Sequence, residues 1–227
     1  MASRNVDQNR ERLLKYSEGK EYAGQGTKSV FEDISSRNQW FEPETVSGPG
    51  STLEQTAEIV RLLPSILDQL QVQRMLDLPC GDFNWMSKVN LTGVSYTGAD
   101  IVGHIVARNQ ERFASENHQF RVLDLMRDPL EDYDLLFCRD CLVHLSIADI
   151  HTALRNIKQS QVKYLMTTTF TDQVINKDIP TGGWRLINLQ QPPFSLPSPV
   201  LDMNEKCTEF GDTFADKCLA VWKVADI

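Results

Sequence analysis

The sequence predicts an α/β protein: a doubly wound sheet of about seven strands, mostly parallel with an antiparallel last strand, plus an N-terminal helical extension. Two observations carry that expectation. Between residues 74 and 170, short apolar runs alternate with stretches of helical spacing. That alternation implies right-handed crossovers between parallel strands. The chain then closes on KCLAVWKV (217–224), whose side chains alternate as a last, antiparallel strand's do. A chain of 227 residues suits one α/β domain with an extension. Residues 1–50 therefore read as an N-terminal extension or lid, and 51–227 as a single domain able to bury a core without staples.

Taken in order, residues 4–21 are polar with Val6, Leu13 and Leu14, and read as a weakly amphipathic surface helix. Residues 22–50 are rich in Gly, Ser and Pro around Phe31, Ile34, Trp40 and Phe41, the pattern of a loop or lid with short helical pieces. Ser51 and Glu54 have capping-box spacing, so a helix is expected to start there. Ile59, Leu62, Leu63, Ile66, Leu67 and Leu70 give it one apolar face, and Pro64 is expected to kink it. Strands are expected at 74–79, 95–102, 120–125, 134–140 and 162–170, with helices over 103–117 and 147–159. Residues 180–200 carry too much Pro and Gly for a long helix. The last strand should pair near 203–210.

Composition narrows the partners. Apolar residues make up 41% and charged residues 24%, which is globular. A net charge of −8 repels phosphate backbones, so no nucleic-acid partner is expected. The first residues carry too many charges for a signal peptide, and no stretch approaches the ~20 apolar residues of a membrane span. Five cysteines, an odd count without an export signal, point to reduced thiols and a cytoplasmic setting. Cys138 and Cys141 form a lone C-x-x-C; with no second ligand pair for zinc, they read as buried thiols.

In open α/β sheets ligands bind beyond the carboxyl ends of the strands, and here those ends are acidic. Asp77 lies in the first strand, Gly81 in the turn after it and Asp82 just beyond. Asp100 ends the second strand, 23 residues after Asp77, and Asp124-Leu125 end the third, 24 residues further on. A carboxylate can accept from both hydroxyls of a ribose diol. A second, beside an apolar side chain, suits an adenine amine and its ring face. A dinucleotide site would instead want G-x-G-x-x-G to receive a pyrophosphate, and LPCGDFNW offers one glycine and a repelling Asp82.

These residues resemble the Rossmann-like (class I) S-adenosylmethionine-dependent methyltransferases from about residue 52 to 170, and more loosely to the C-terminal strand pair. Their first motif reads acidic-x-G-x-G; here it is Asp77-Leu78-Pro79-Cys80-Gly81, with proline in place of the first glycine. The PCGDFNWM segment and Ser47 to Ser51 are similar to an uncharacterised bacterial-type subgroup. The resemblance implies that Asp77, Pro79 and Gly81 line the methionine part, Asp100 and Ile101 the ribose, and Asp124 and Leu125 the adenine. Arg139 would stand near the sulfonium. The cofactor so implied, S-adenosyl-L-methionine, carries a sulfonium and an ammonium, which an acidic rim favours. The absence of an N/D-P-P-Y loop favours oxygen as the methylated atom, and the acceptor is expected to be a small molecule or glycan precursor. A cofactor-binding protein without chemistry and a nucleotide-binding oxidoreductase stand as alternatives.

For proton removal, His144 and Asp140 after the fourth strand are the candidates. Asp140 could instead cap a helix, or hold magnesium with Asp172 and Asn176; the expected site contains no metal. Ser47 and Ser51 could bond the methionine carboxylate, and Trp40 and Glu44 belong to the same closing segment. The acceptor is expected against Trp184, Arg185 and Asn188, with Trp184 stacking and Arg185 gripping an anionic group. His104, His118 and His151 read as surface or helix residues.

Overall fold

The computed structural model describes residues 18–227, so the helix expected over 4–21 falls almost wholly outside the described residues. The first helix, α1 (Thr27–Ser36), turns Val30 and Ile34 inward. A 3-10 turn at Pro49–Ser51 precedes α2 (Ala57–Gln69). The expected capping box does not form. Thr56 occupies the N-cap position of α2, while Ser51 is buried and its hydroxyl faces the Arg139 guanidinium at 3.3 Å. The buried Arg139 guanidinium has taken the hydroxyl that would have capped the helix. Pro64 sits inside α2, which runs on past it to Gln69.

The strands follow as β1 (Arg74–Asp77), β2 (Ser95–Asp100), β3 (His118–Val122), β4 (Leu135–Cys138), β5 (Tyr164–Phe170), β6 (Leu201–Asn204) and β7 (Lys217–Lys223). α3 (Gly103–Phe113) links β2 to β3, and α4 (Ile147–Gln159) links β4 to β5. Their order across the sheet is β3-β2-β1-β4-β5-β7-β6. Pairings among β1 to β5 are parallel, whereas β7 runs antiparallel to both β5 and β6. This is the seven-stranded, mostly parallel sheet that the sequence predicts.

Successive strand residues point to opposite faces, and both faces are covered, as a parallel sheet requires. Leu76, Leu136 and Leu165 pack with Ile150, Ala153 and Ile157 of α4. Met75, Leu135, Phe137 and Met166 pack with Ile59, Leu63 and Leu67 of α2. The strand order reverses between β1 and β4, so the loops after these two strands diverge and leave a crevice at their carboxyl ends. Residues 180–200 hold no helix or strand, yet Ile187, Leu189 and Phe194 are buried.

Candidate functional site: a two-part cleft at the strand ends

A cleft of about 1090 Å³ opens at that crevice. All eight residues expected to hold the cofactor line it: Asp77, Pro79, Gly81, Asp100, Ile101, Asp124, Leu125 and Arg139. Each carboxylate is set by its own strand end. Asp77 closes β1, is 2% exposed, and accepts from the Tyr96 hydroxyl at 2.6 Å. Burial pushes its pKa up to about 8. Asp100 closes β2 and accepts from the backbone amides of Val102 (2.9 Å) and Gly81 (3.2 Å). Burial lifts it to about 6. Asp124, just past β3, accepts from the amide of Met126 at 2.9 Å, between Leu123 and Leu125 in the cleft wall.

The turn after β1 carries a left-handed glycine. Gly81 has φ +52°, and a Cβ there would lie 2.1 Å from the Ser47 hydroxyl. Asn109 holds this turn from behind, donating to the Gly81 carbonyl at 2.7 Å. Asp82 does not face the cleft. It accepts from the Thr45 hydroxyl (2.9 Å) and the Val46 amide (3.1 Å), which fastens the N-terminal segment to the turn. That segment forms the cleft's outer wall through Phe31, Ile34, Trp40, Val46, Ser47 and Ser51.

A second cleft, of about 800 Å³, meets the first at Trp40, Ser47, Asp140 and His144. His144 ends a 3-10 turn (Leu142–His144), and its Nδ1 lies 2.7 Å from the Gly183 carbonyl oxygen. A carbonyl only accepts, so Nδ1 carries the proton and Nε2 is left with a lone pair. Burial lowers the imidazole's pKa, which keeps it neutral near pH 7. The Trp40 ring lies 5.2 Å from it, centroid to centroid. Gly183 is in turn held by its neighbour: a Cβ on Gly182 would lie 2.5 Å from Val30 and 2.7 Å from Tyr22.

Of the three residues expected at the acceptor, two are bonded within the surrounding loops. Arg185 is buried, and its guanidinium donates to the carbonyls of Leu142 (2.8 Å), Leu145 (2.6 Å) and Lys177 (3.3 Å). It lines neither of these two clefts and staples the turn that carries His144. Asn188 likewise donates to Thr171 and accepts from the Gln190 amide. Trp184 does line the second cleft, with Phe170, Phe210 and Phe214.

Asp140 is no base. Burial alone would raise its pKa, but Arg139 (3.2 Å) and Lys217 (2.7 Å) hold it far below the usual carboxylate range. Asn176 donates to the carbonyls of Asn188 and Pro192, and no group of three His, Cys, Asp or Glu that could hold a metal occurs among the described residues. Arg139 is neutralised by Glu205 at 2.8 Å and by Asp140, donates to the Gly50 carbonyl, and lies over the Trp85 ring. Sequence reading missed Glu205 and Lys217 because nothing in their local pattern marks them. The C-terminal strand pair, which sequence reading did find, is what carries them to β4.

Residues 75–161 match the family described as Methyltransferase domain. No curated protein matches the sequence. Among solved structures, magnesium protoporphyrin IX methyltransferase from Synechocystis PCC 6803, with bound SAM, is similar with a TM-score of 0.56. Identity there is 15%, over 88% of this chain and 97% of that one. The mitomycin 7-O-methyltransferase MmcR gives 0.61 at 12% identity, over 96% of this chain and 66% of that one. The [4+2]-cyclase SpnF gives 0.57 at 19% identity, over 78% and 75%. At such identities the likeness is one of fold, and a cyclase among these structures shows that the fold alone does not fix the chemistry.

Residues 75–161 thus resemble a methyltransferase domain, and the sheet has the fold of a structure that holds S-adenosylmethionine. The residues present fit that cofactor. Buried carboxylates with raised pKa are short of donors, and the cofactor offers ribose hydroxyls, an adenine amine and an ammonium. Beside a sulfonium a bare guanidinium would repel, but Arg139 is already paired.

Proposed function

We propose that the protein is an S-adenosylmethionine-dependent O-methyltransferase acting on a small hydroxylated acceptor, a sugar or glycan precursor or a secondary metabolite. The observation that carries this reading is His144, neutral and protonated on Nδ1, at the junction of two clefts. The cofactor, when bound, supplies an activated methyl group. The chain's own work is then positioning, water exclusion and one proton transfer. Asp100 would accept from the ribose hydroxyls, and Asp124 with Leu125 would frame the adenine. Trp40 and the segment through Ser51 would keep water from the junction. His144 Nε2 would take the proton of the acceptor hydroxyl as the oxygen becomes nucleophilic.

No described helix is long and apolar enough to cross a membrane, and five free thiols support a cytoplasmic setting. Calorimetric titration with S-adenosylmethionine, S-adenosylhomocysteine and NAD tests the reading. Micromolar binding of the first two is expected, weakened about a hundredfold by Asp100→Ala, which removes charge-assisted hydrogen bonds. A preference for NAD, or no binding of either sulfur compound, sinks it.

A further inference from the structure

We infer that the acceptor is an aryl hydroxyl with a second hydrogen-bond donor, seated in the second cleft with its reacting oxygen at His144 Nε2 and its second donor on Glu209. This inference rests on the methyltransferase reading and narrows its acceptor from any hydroxylated molecule to a flat aromatic one.

The wall of the second cleft is aromatic. Phe214 lies among three other rings, 5.3 Å from Trp184, 5.8 Å from Phe210 and 5.9 Å from Phe170. Trp40 faces the same space. A planar aromatic guest meets such walls by offset stacking and edge-to-face contact. The polar groups are few and mostly committed. Lys217 is bonded to Asp140 at 2.7 Å and is 3.4 Å from Glu205. Gln39 is bonded to the Tyr22 hydroxyl and to Glu21. The Ser47 hydroxyl stands at the junction beside the Gly81 turn and can donate or accept. His144 Nε2 and the Glu209 carboxylate remain. Glu209 forms no ion pair among the described residues, and burial raises its pKa.

With the Ser47 hydroxyl and the indole N–H groups of Trp40 and Trp184, these are few polar groups against an aromatic wall. A sugar brings several hydroxyls, each needing a donor and an acceptor, and most would be buried unpaired here. An aryl diol brings two donors and an apolar ring, which is what the cleft can satisfy. Acidity points the same way. A buried imidazole with lowered pKa is a weak base. A phenol, at about 10 like the tyrosine hydroxyl, yields its proton to such a base far more readily than a sugar alcohol does. In the transfer, the aryl oxygen forms its bond to the methyl carbon as the carbon–sulfur bond breaks. The bonding pair goes to sulfur, leaving S-adenosylhomocysteine, and the hydroxyl proton goes to Nε2.

The test is titration of the S-adenosylhomocysteine-loaded protein with a dihydroxynaphthalene and with methyl glucoside. The aryl diol is expected to bind at least about tenfold more tightly than the glucoside. Glu209→Gln should weaken the diol about tenfold, and Phe214→Leu should weaken it without loss of S-adenosylhomocysteine affinity. Equal or tighter binding of the glucoside overturns the inference, as does binding of neither probe. Diol binding indifferent to Glu209→Gln overturns the assigned seat. Failure to bind S-adenosylhomocysteine at all is a separate result, and it strikes the methyltransferase reading itself.

Discussion

At the ends of β1 and β2, Asp77 and Asp100 accept only from a tyrosine hydroxyl and backbone amides. At the ends of β4 and β7, by contrast, Arg139, Asp140, Glu205 and Lys217 answer one another within 3.4 Å. The first group is desolvated and short of positive partners, so burial lifts its pKa values and part of its hydrogen-bonding capacity waits for a ligand. The second is electrically closed: two cations and two anions cancel in a region where a lone charge would be costly. One half of the site is prepared to receive charge, while the other uses charge to fix backbone. Arg139 holds Gly50 and Ser51, and so ties the N-terminal segment to the sheet.

That contrast can be broken at three points. The largest effect is expected at the junction: His144→Gln should lower kcat with an aryl diol by about a hundredfold to ten-thousandfold. Affinity for S-adenosylhomocysteine, measured in parallel, should change little. Unchanged kcat would remove proton transfer from the acceptor half. Next, Glu205→Gln leaves two buried cations facing one carboxylate and should cost about 3–5 kcal/mol in urea unfolding. Joint replacement by Arg139→Met and Glu205→Leu should recover much of that loss. A Glu205→Gln variant as stable as the parent would mean the network is not closed as described.

The smallest effect belongs to the cofactor half. A carboxyl whose folded pKa is raised stabilises the fold at low pH and loses that contribution as pH rises through the folded value. With Asp77 at about 8, the cofactor-free protein should lose about 1 kcal/mol between pH 7 and 8.5. Asp77→Asn should flatten that slope, as followed by thermal or urea unfolding. The window lies above the ordinary histidine range, so His144 and His118, both lowered, remain neutral across it. A slope unchanged by the substitution would show that Asp77 is ionised throughout.

The two halves also differed in how far the sequence revealed them. On the cofactor side each residue stands at the end of its own strand, and strand–helix–strand units of regular length space the acids at readable intervals. Local pattern and spatial place coincide there, so the positions of Asp77, Gly81, Asp100 and Asp124 on the cleft wall were legible one by one. The acceptor half is assembled across long separations. Arg139 meets Glu205 66 residues later, and Asp140 meets Lys217 77 residues later. No window of sequence contains such a pair. Arg185 illustrates the converse error. In a Pro-rich loop it looks free to bind an anion, but its donors are consumed by carbonyls of the turn before α4. Ser51 and Glu54 had the local pattern of a helix start, and a tertiary contact overrode it.

The seat of Gly182 against Tyr22 and Val30 has a consequence for how this chain tolerates change at its front end. The loop that presents the Gly183 carbonyl rests on residues from the extension, not on the sheet alone. A chain shortened past α1 would keep the shelf of aspartates and the parallel strands beneath it. It would lose the backing that sets which nitrogen of His144 bears hydrogen. The extension is thus a structural support of the His144 turn as well as a wall of the cleft.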